Sequence, residues 1–374
     1  MLVYRIGHLA VTDIRDKHMN GCTPFLYQKS MKKILLILVV LFSMSTNILA
    51  DGLTATLQQG DVMTPFYGVN AFKEAYEAAQ DGAVITLSSG KFNDVTTISK
   101  QITIIGAGAF WIGASEQTIL GSITIAANNV KIEGIYFNKE VTLGTSTLSR
   151  IENCTLKRCH ILSSLYSSHI HENTLVDQCA IPSVQAMEKS KNFCIKNSTI
   201  DHFYGMNSAT NIAYISNCVV WRFVYYVSNT YYSRPYAIYK NNYLGIYKSD
   251  DSKKYLTLES PSEFYNNVFC PSYMKRDYED SDPYSFIDYV TINYGSGCVN
   301  NGNIVGNQKF EVINGYPAHP IDAPLGSDGT SVGPYGGTGF SEYPAIPRII
   351  SKSIDSNSNA EGKINVKITV KAEQ

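Results

Sequence analysis

The sequence has no excess of charge of either sign. It holds 31 Lys and Arg residues against 32 Asp and Glu residues, a formal net charge of −1 over 374 residues. Residues 51–374 alone carry 25 bases and 30 acids, because six bases and two acids fall in residues 1–50. A surface with this balance lacks the basic face that phosphate binding needs, which argues against nucleic acid as a partner.

The cysteines lack the spacing of a metal site or of a secreted disulfide framework. The eight cysteines form no Cys-x-x-Cys pair and no Cys/His cluster, so the sequence predicts no metal site. GAGAF at 106–110 fits a turn after a strand better than a dinucleotide site, and the sequence predicts no cofactor. Cys22 falls in a segment that we expect to be removed, which leaves seven. An odd number without tight spacing differs from a secreted disulfide framework, and buried, inert thiols are our interpretation.

What the sequence does contain is a short pattern that returns along its middle. Each copy reads apolar, any residue, Asn, two small or apolar residues, apolar. The clear copies are IENCTL at 151–156, HENTLV at 171–176, IKNSTI at 195–200, ISNCVV at 215–220, YKNNYL at 239–244 and FYNNVF at 264–269. IEGIYF at 132–137 has Gly134 in the place of Asn, and VNNGNI at 299–304 is a looser copy. Repeats 20 to 35 residues apart are typical of a solenoid.

Each copy predicts two short strand pieces joined at a bend. Asn suits the bend because it tolerates a left-handed backbone, and the flanking residues are largely β-branched or aromatic, as strands prefer. No segment of helical period separates the copies. The sequence therefore predicts an all-β, single-stranded parallel β-helix of roughly ten turns between about residues 84 and 310. Stacked turns would place the repeated asparagines in one ladder at one corner, with a structural role.

The stacking also predicts one pair of cysteines that could form a disulfide. Cys159 and Cys179 each lie six residues after a ladder Asn, on neighbouring turns. Adjacent strands are about 4.8 Å apart, which brings the two Cα atoms within the range of a disulfide.

Both ends of the sequence differ from the repeats. Residues 31–50 have two lysines, an apolar run and a small-residue site ending at Ala50, which predicts a signal peptide with a mature start near Asp51. Residues 1–30 then read as a start-site artefact, with Met31 as the true start, and the alternative is that residues 31–50 are an internal anchor. We expect a protein that is secreted, exposed on the cell surface or periplasmic, with no membrane span in the mature chain.

The mature chain divides at about residue 320. Residues 51–319 are the predicted β-helix, and residues 69–80 have the apolar period of a helix that would cap its N-terminal end. Residues 320–374 are the predicted closing segment, rich in Gly and Pro up to residue 348. An alternating run of Ile364, Val366, Ile368 and Val370 then predicts a β tail, with Ile350 and Ile354 on a partner strand.

The order of these features resembles that of a known superfamily. A helix ending in AAQDGAVITLSSGKF, followed by ITIIGAG at 102–108, resembles the opening of pectin-lyase-like right-handed parallel β-helix proteins. The segment IDAPLGSDGTSVGPYGG at 321–337 resembles the closing part of secreted β-helix proteins of Bacteroidetes-type bacteria, some labelled hemagglutinin or adhesin. The resemblance implies the right-handed fold and the compartment, and it implies little about activity.

Polar and aromatic residues of the middle turns form the candidate site. Counting from the ladder Asn predicts that one column brings together Asp177, Asp201, His202, Trp221 and Arg222. Aromatic residues are dense nearby, between residues 203 and 247. We take as binding candidates Asp177, Asp201, Tyr204, Trp221, Tyr225 and Arg234, and as catalytic candidates His202, Arg222 and Tyr226.

These residues are open to three interpretations. Aromatic faces with polar rims hold sugar rings or partner surfaces, which favours a non-catalytic monomer that binds a polysaccharide or a glycosylated host or matrix surface. A lyase of uronic-acid polysaccharides is the alternative, with Arg222 neutralising the carboxylate, His202 as the base, and Tyr226 or Tyr204 protonating the leaving oxygen. A purely structural surface protein is the third, since a polar column is usually a solvated face. The superfamily's catalytic signatures are not visible, and nothing singles out a hydrolase pair of carboxylates.

Overall fold

The structure is a computed structural model. It describes residues 52–93, 95–109, 117–146, 150–186, 190–205, 211–224, 226–227, 230–231, 236–246, 255–258, 261–270, 291–306, 310–313, 316–320, 322–338, 340–341, 348–354 and 366–371. The predicted artefact at 1–30 and the predicted signal peptide at 31–50 lie outside these ranges. In the described residues no helix is both long and apolar enough to cross a membrane.

The chain is all-β, with most strands in two long sheets. The first sheet runs in the order β2 (Val62–Tyr67), β1 (Thr54–Gln59), β3 (Val84–Leu87), β6 (Thr103–Ile105), β9 (Lys131–Glu133), β13 (Thr155–Lys157), β17 (Leu175–Asp177), β19 (Cys194–Lys196), β21 (Ala213–Ser216), β25 (Ala237–Lys240), β28 (Glu263–Tyr265) and β31 (Val299–Asn301). Its pairings are antiparallel at β2–β1 and β1–β3 and parallel from β3 onwards.

The second sheet is parallel throughout and follows the first turn by turn. Its main path is β4 (Gly90–Lys91), β7 (Thr118–Leu120), β10 (Tyr136–Phe137), β14 (His160–Ile161), β18 (Ala180–Ala186), β20 (Thr199–Gly205), β22 (Val219–Val224), β26 (Tyr243–Ile246), β29 (Val268–Cys270) and β32 (Ile304–Val305). A branch that joins it at β18 holds β5 (Thr97–Ile98), β8 (Ile123–Ile125), β11 (Val141–Leu143) and β15 (Ser164–Ser167).

Five two-stranded sheets complete the described strands. Two are parallel: β12 (Ile151–Glu152) with β16 (His171–Glu172), and β27 (Tyr255–Leu258) with β30 (Thr291–Tyr294). Three are antiparallel: β23 (Tyr226–Val227) with β24 (Thr230–Tyr231), β33 (Phe310–Ile313) with β34 (Tyr316–Pro320), and β35 (Arg348–Ile354) with β36 (Val366–Lys371). Long parallel sheets whose strands alternate along the chain are consistent with a β-helix.

Inward side chains of successive turns form continuous apolar columns. In the first sheet one column runs through Ile104, Ile132, Leu156, Val176, Ile195, Ile215, Tyr239 and Phe264, all of them almost completely buried. Rings at its far end stack, with Tyr239 and Phe264 centroids 5.0 Å apart and nearly parallel. These columns are the core, and they explain why one residue in two of each strand is apolar.

The repeated asparagines lie in two ladders, so the prediction of a single ladder was wrong. Asn129, Asn153, Asn173 and Asn192 occupy a first corner and have positive φ. Their side chains are linked, each Nδ2 donating to the Oδ1 of the turn before, at 2.8–3.2 Å. A second corner holds, on successive turns, Gly134, Arg158, Gln178, Asn197, Asn217, Asn241, Asn266 and Gly302, all with positive φ.

The backbone hydrogen bonds show how the sequence pattern changes corner. The N–H of Gln178 donates to the carbonyl of Lys196, next to Asn197, whereas the N–H of Asn173 donates to Lys191, next to Asn192. Asn197 therefore stacks on Gln178, and the sequence step from Asn173 to Asn197 passes from one corner to the other. Both corners need a left-handed residue, and Asn is the commonest non-glycine residue there.

An inner polar column replaces the predicted disulfide. Cys159 and Cys179 do stack on neighbouring turns, but both are free, and the Cys159 N–H donates to the Cys179 Sγ at 3.4 Å. Further along the same column, Cys218 N–H donates to Asn242 Oδ1, and Asn242 N–H donates to Asn267 Oδ1. A thiol, hydroxyl or amide at this position satisfies a backbone N–H inside the core.

The last sequence copy is in a register different from the predicted one. Phe264 pairs with Asn300, and Gly302 takes the left-handed position that alignment of VNNGNI with the other copies predicts for Asn301. Val299 and Ile304, which hold the first and last apolar positions of this copy of the pattern, are both exposed. The loose match of this copy to the pattern reflects a shift of one residue.

Residues 51–340 form one compact unit. Within it, helix α1 (Ala71–Ala78) buries Phe72 and Tyr76 against the start of the core, and the Lys100 ammonium bonds the carbonyls of Tyr76, Glu77 and Ala79. Its role as a cap stays a prediction. Strands β35 and β36 belong to a second unit, in which Ile354 pairs with Val366 and Ile349 with Val370. Ile364 lies outside the described residues.

Residues 322–340, which we call the strap, cross the second corner from outside. The Ser327 N–H donates to Asn241 Oδ1 at 3.0 Å, and Asn197 Nδ2 donates to the carbonyls of Pro334 and Gly336. The three ladder residues Asn197, Asn217 and Asn241 are consequently buried. These residues were predicted to end the stack, and the described part instead lies along its side.

Candidate functional site at the bend of the second sheet

The candidate residues lie where strands of the second sheet bend. In β20 the inward residues Ile200 and Phe203 are separated by two residues instead of one, and in β22 the same holds for Val220 and Phe223. The two residues between them face outwards together on each turn, Asp201 with His202 and Trp221 with Arg222. We call the set Asp201, His202, Tyr204, Trp221 and Arg222 the bend site.

Three charged or polar side chains of the bend site contact one another. The Arg222 Nε lies 3.2 Å from Asp201 Oδ1, and the His202 Nδ1 lies 3.4 Å from Asp201 Oδ2. The Arg222 Nη1 is 3.3 Å from the His202 Nε2, which closes the triangle. All three side chains are partly exposed, between 16% and 32%. The arrangement presents guanidinium donors and carboxylate acceptors side by side at the surface.

An aromatic and amide row continues from this triangle along the sheet. The His202 ring stacks on the Tyr204 ring at a centroid distance of 5.6 Å and an angle of 10°. Tyr204 pairs in register with Gln185, and Gln185 with Tyr166, whose side chain is 42% exposed. Sequence reasoning missed Gln185 and Tyr166, because their alignment with Tyr204 depends on register and not on distance from an Asn.

Trp221 links the bend site to the strap. It packs against a cluster of buried residues outside the main core, consisting of Val219, Tyr243, Val268, Cys270 and Val332. Burial raises the pKa of Tyr243 well above its usual value. Val332 belongs to the strap, and it was not predicted to lie near the site.

Asp177 does not belong to the bend site, so its predicted place in the column was wrong. It lies in the first sheet, in register with Lys157 and Lys196, with Oδ2 at 3.9 Å and 3.6 Å from the two ammonium nitrogens. Burial raises the pKa of its carboxyl group, and the two lysines oppose that shift. The error follows from the change of corner between Asn173 and Asn197, which invalidates counting across that step.

The remaining predicted residues cannot be placed in the site. Tyr225 and Arg234 lie outside the described residues. Tyr226 begins the short hairpin strand β23, and its partner across the hairpin is Tyr231. In the part of the chain that the structure describes, no group of three or more His, Cys, Asp or Glu is arranged to hold a metal ion.

Comparison with known proteins adds nothing to this geometry. No family model, no curated protein and no solved structure matches the chain.

Proposed function

We propose that this chain is a right-handed β-helix of the pectin-lyase-like kind, exported from the cell, that binds a glycan without cleaving it. The long parallel sheets support the fold, and the resemblance of residues 69–108 and 321–337 to that superfamily supports the handedness and the export. The bend site is the proposed binding surface. The observation that carries the proposal is the Arg222–Asp201–His202 triangle beside the stacked Tyr204 ring.

The chemistry of the triangle favours a neutral glycan. Adjacent hydroxyl groups of a sugar both donate and accept hydrogen bonds, and a guanidinium next to a carboxylate offers both functions within a few ångströms. The positive charge of Arg222 is matched by Asp201 at 3.2 Å, so the pair carries no net charge toward an acidic polymer. The faces of Tyr204 and Trp221 supply the apolar contact that the C–H faces of a sugar ring need.

The same geometry weighs against the lyase alternative. An elimination next to a uronic acid needs a cation that neutralises the substrate carboxylate, together with a base for the proton. In this site Arg222 and His202 both contact the carboxylate of Asp201, so the two groups needed for catalysis are engaged by one protein anion. Binding of a glycan, in contrast, can use the Arg222 and His202 side chains in the arrangement that they already have.

The proposal is tested with purified protein and a panel of neutral and uronic-acid polysaccharides. Binding is measured by pull-down and calorimetry, and turnover by the ultraviolet absorbance of the double bond that elimination leaves. We expect retention of at least one neutral polymer, loss of it in Tyr204→Ala, and no change in Tyr214→Ala. Tyr214 is a matched control because it is 44% exposed on the first sheet. Growth of absorbance that Arg222→Ala abolishes would make the protein a lyase, and a protein with neither binding nor turnover would be structural.

A further inference from the structure

The strap crosses the solenoid at the turn that carries Trp221. The N–H groups of Ser327 and Gly333 donate to the Oδ1 and the carbonyl of Asn241. Directly after Gly333, the carbonyls of Pro334 and Gly336 accept from Asn197 Nδ2. These asparagines belong to the turns on either side of Asn217, and Trp221 follows Asn217 by four residues in strand β22.

Glycines let the strap lie directly on the asparagine ladder. A Cβ built on Gly326 would come within 2.5 Å of the Asn241 side chain, and one on Gly336 within 2.8 Å of Asn217 Nδ2 and closer still to the Ser331 carbonyl. Within the strap, Val332 N–H donates to the Pro324 carbonyl and Gly337 N–H donates to Thr330 Oγ1. The strap is therefore a folded segment with its own hydrogen bonds, fitted to this corner.

The strap also covers apolar residues that face outwards. Val219, Tyr243 and Val268 pair in register along the second sheet, on the side away from the core, yet all three are buried. Val332, itself 1% exposed, packs among them, and Trp221 packs against the same cluster. An outward apolar column is normally unfavourable, so the strap and the column have complementary surfaces.

We infer that the strap is a positioning element for the bend site, with Val332 fixing the Trp221 ring in the orientation that binds the ligand. The inference rests on the proposed function. A rigid aromatic side chain loses little conformational entropy when it binds, so an affinity that depends on Trp221 depends on what holds the ring. Ligand affinity is thereby set by a residue more than 100 positions later in the chain, which belongs to the strap and not to the bend site.

Trp221 fluorescence provides the direct test. The chain has two tryptophans, so Trp111→Phe leaves Trp221 as the single reporter. In that background Val332→Ala is expected to shift the Trp221 emission to longer wavelength and to weaken binding of the retained neutral polymer about tenfold. Val332→Ile, which keeps a branched apolar side chain, should leave the Trp221 emission and the affinity as they are with Val332. Leu325→Ala is the matched control, since Leu325 is an apolar strap residue that is 69% exposed, and it should change neither.

The outcomes separate this inference from the proposed function. If Val332→Ala lowers affinity but leaves the Trp221 emission unchanged, or changes neither, the inference is overturned while glycan binding stands. If the unsubstituted protein retains no polymer, the proposed function fails, and an emission shift in Val332→Ala would still show that the strap holds the ring. Should Val332→Ala lose its circular dichroism signal, Val332→Cys, which replaces the two γ-methyl groups by one sulfur and so removes part of the packing at this position, is measured in its place with the same expectations.

Discussion

His171 packs edge-on against Phe193 in the core, with ring centroids 4.8 Å apart and planes at 75°. The imidazole is completely buried, and neither ring nitrogen has a hydrogen-bond partner among the residues that the structure describes. Burial without a partner disfavours the charged form and lowers the pKa of His171 from 6.5 to about 4. The residue occupies an inward position in register with Ile151, where the other copies of the pattern have an apolar side chain.

This relationship predicts a loss of stability in mild acid. Between pH 6.5 and about 4 the unfolded chain binds a proton that the folded chain does not, so stability falls as the pH falls through that window. Since one pKa unit corresponds to about 1.4 kcal/mol, the complete shift lowers the free energy of unfolding by on the order of 3 kcal/mol. Urea unfolding of the protein at pH 7 and pH 4.5 measures it, and His171→Leu should flatten the dependence. The difference in stability between the two proteins at each pH isolates the contribution of His171.

The two asparagine corners should respond differently to substitution. Asn197→Ala removes the two hydrogen bonds to the strap and places Ala at φ +49, so we expect a cost of about 3 kcal/mol. Asn153→Ala at φ +58 loses only exposed side-chain links and should cost about 1 kcal/mol. Asn197→Gly separates the cost of the lost hydrogen bonds from the cost of the left-handed backbone. It removes the bonds, but glycine adopts a positive φ without strain. Equal losses for Asn197→Ala and Asn153→Ala in thermal unfolding would contradict the role of the strap.

Gly336 should be the least tolerant glycine of the strap. Because a Cβ at this position would overlap the Ser331 carbonyl and approach Asn217, Gly336→Ala should displace the strap and cost about 2 kcal/mol or more. Gly306→Ala should be neutral, since no atom of the described part of the chain lies within 4 Å of a Cβ at that position. Limited proteolysis reports the displacement, with earlier cleavage within residues 322–340 expected only for Gly336→Ala. Identical digestion of the two variants would count against the packing described here.

The buried thiols should be unreactive in the folded protein. Burial raises the pKa of Cys154 to about 11 and raises that of Cys179 well above its usual value, so neither forms the thiolate that reagents attack. We expect a thiol reagent to label only Cys194 and Cys298, which are partly exposed, among the described cysteines until denaturant is added. Mass spectrometry after digestion under native labelling identifies the sites. A Cys159–Cys179 bridge in the purified protein would contradict the free thiols of the inner column.

Asp201 should decide the charge of the preferred ligand. Asp201→Asn keeps the shape of the side chain and leaves the Arg222 charge without its counter-ion at 3.2 Å. We expect affinity for the neutral polymer to fall and affinity for uronic-acid polymers to rise, each by about fivefold, a change worth about 1 kcal/mol. Raising the salt concentration should reverse only the gain for the acidic polymers, because screening weakens exposed charges. A variant with unchanged preference would show that Arg222 does not face the ligand.

The sequence predicted the class of fold well because its signal is local. An inward residue two positions before and three positions after each Asn is enough to define two strand pieces and a bend, and Ile195, Ile215, Leu156 and Val176 are all buried as expected. Register is a different matter. Leu156 follows the Asn of its copy, whereas Ile195 precedes the Asn of its copy, yet both lie in one column of the first sheet. They share this column because the Asn-bearing corner changes between Asn173 and Asn197.

The candidate site was likewise predicted in part. Asp201, His202 and Arg222 lie in contact, as counting from the asparagines predicts, since all three follow asparagines of the second corner. Asp177 was misplaced because it follows an asparagine of the first. Val332 had no signal at all, since contacts between the strap and strand β22 depend on long-range packing that no period in the sequence encodes.

The bonds from Asn197 to the carbonyls of Pro334 and Gly336 join residues 137 and 139 positions apart. A chain made from its N-terminus can stack its turns one at a time, each on the last, as neighbour-only contacts allow. These bonds form only after the chain as far as Gly336 exists. The corner at Asn197 is thus completed by residues synthesised 137 and 139 positions later, and truncation upstream of residue 322 should leave Asn197, Asn217 and Asn241 uncovered.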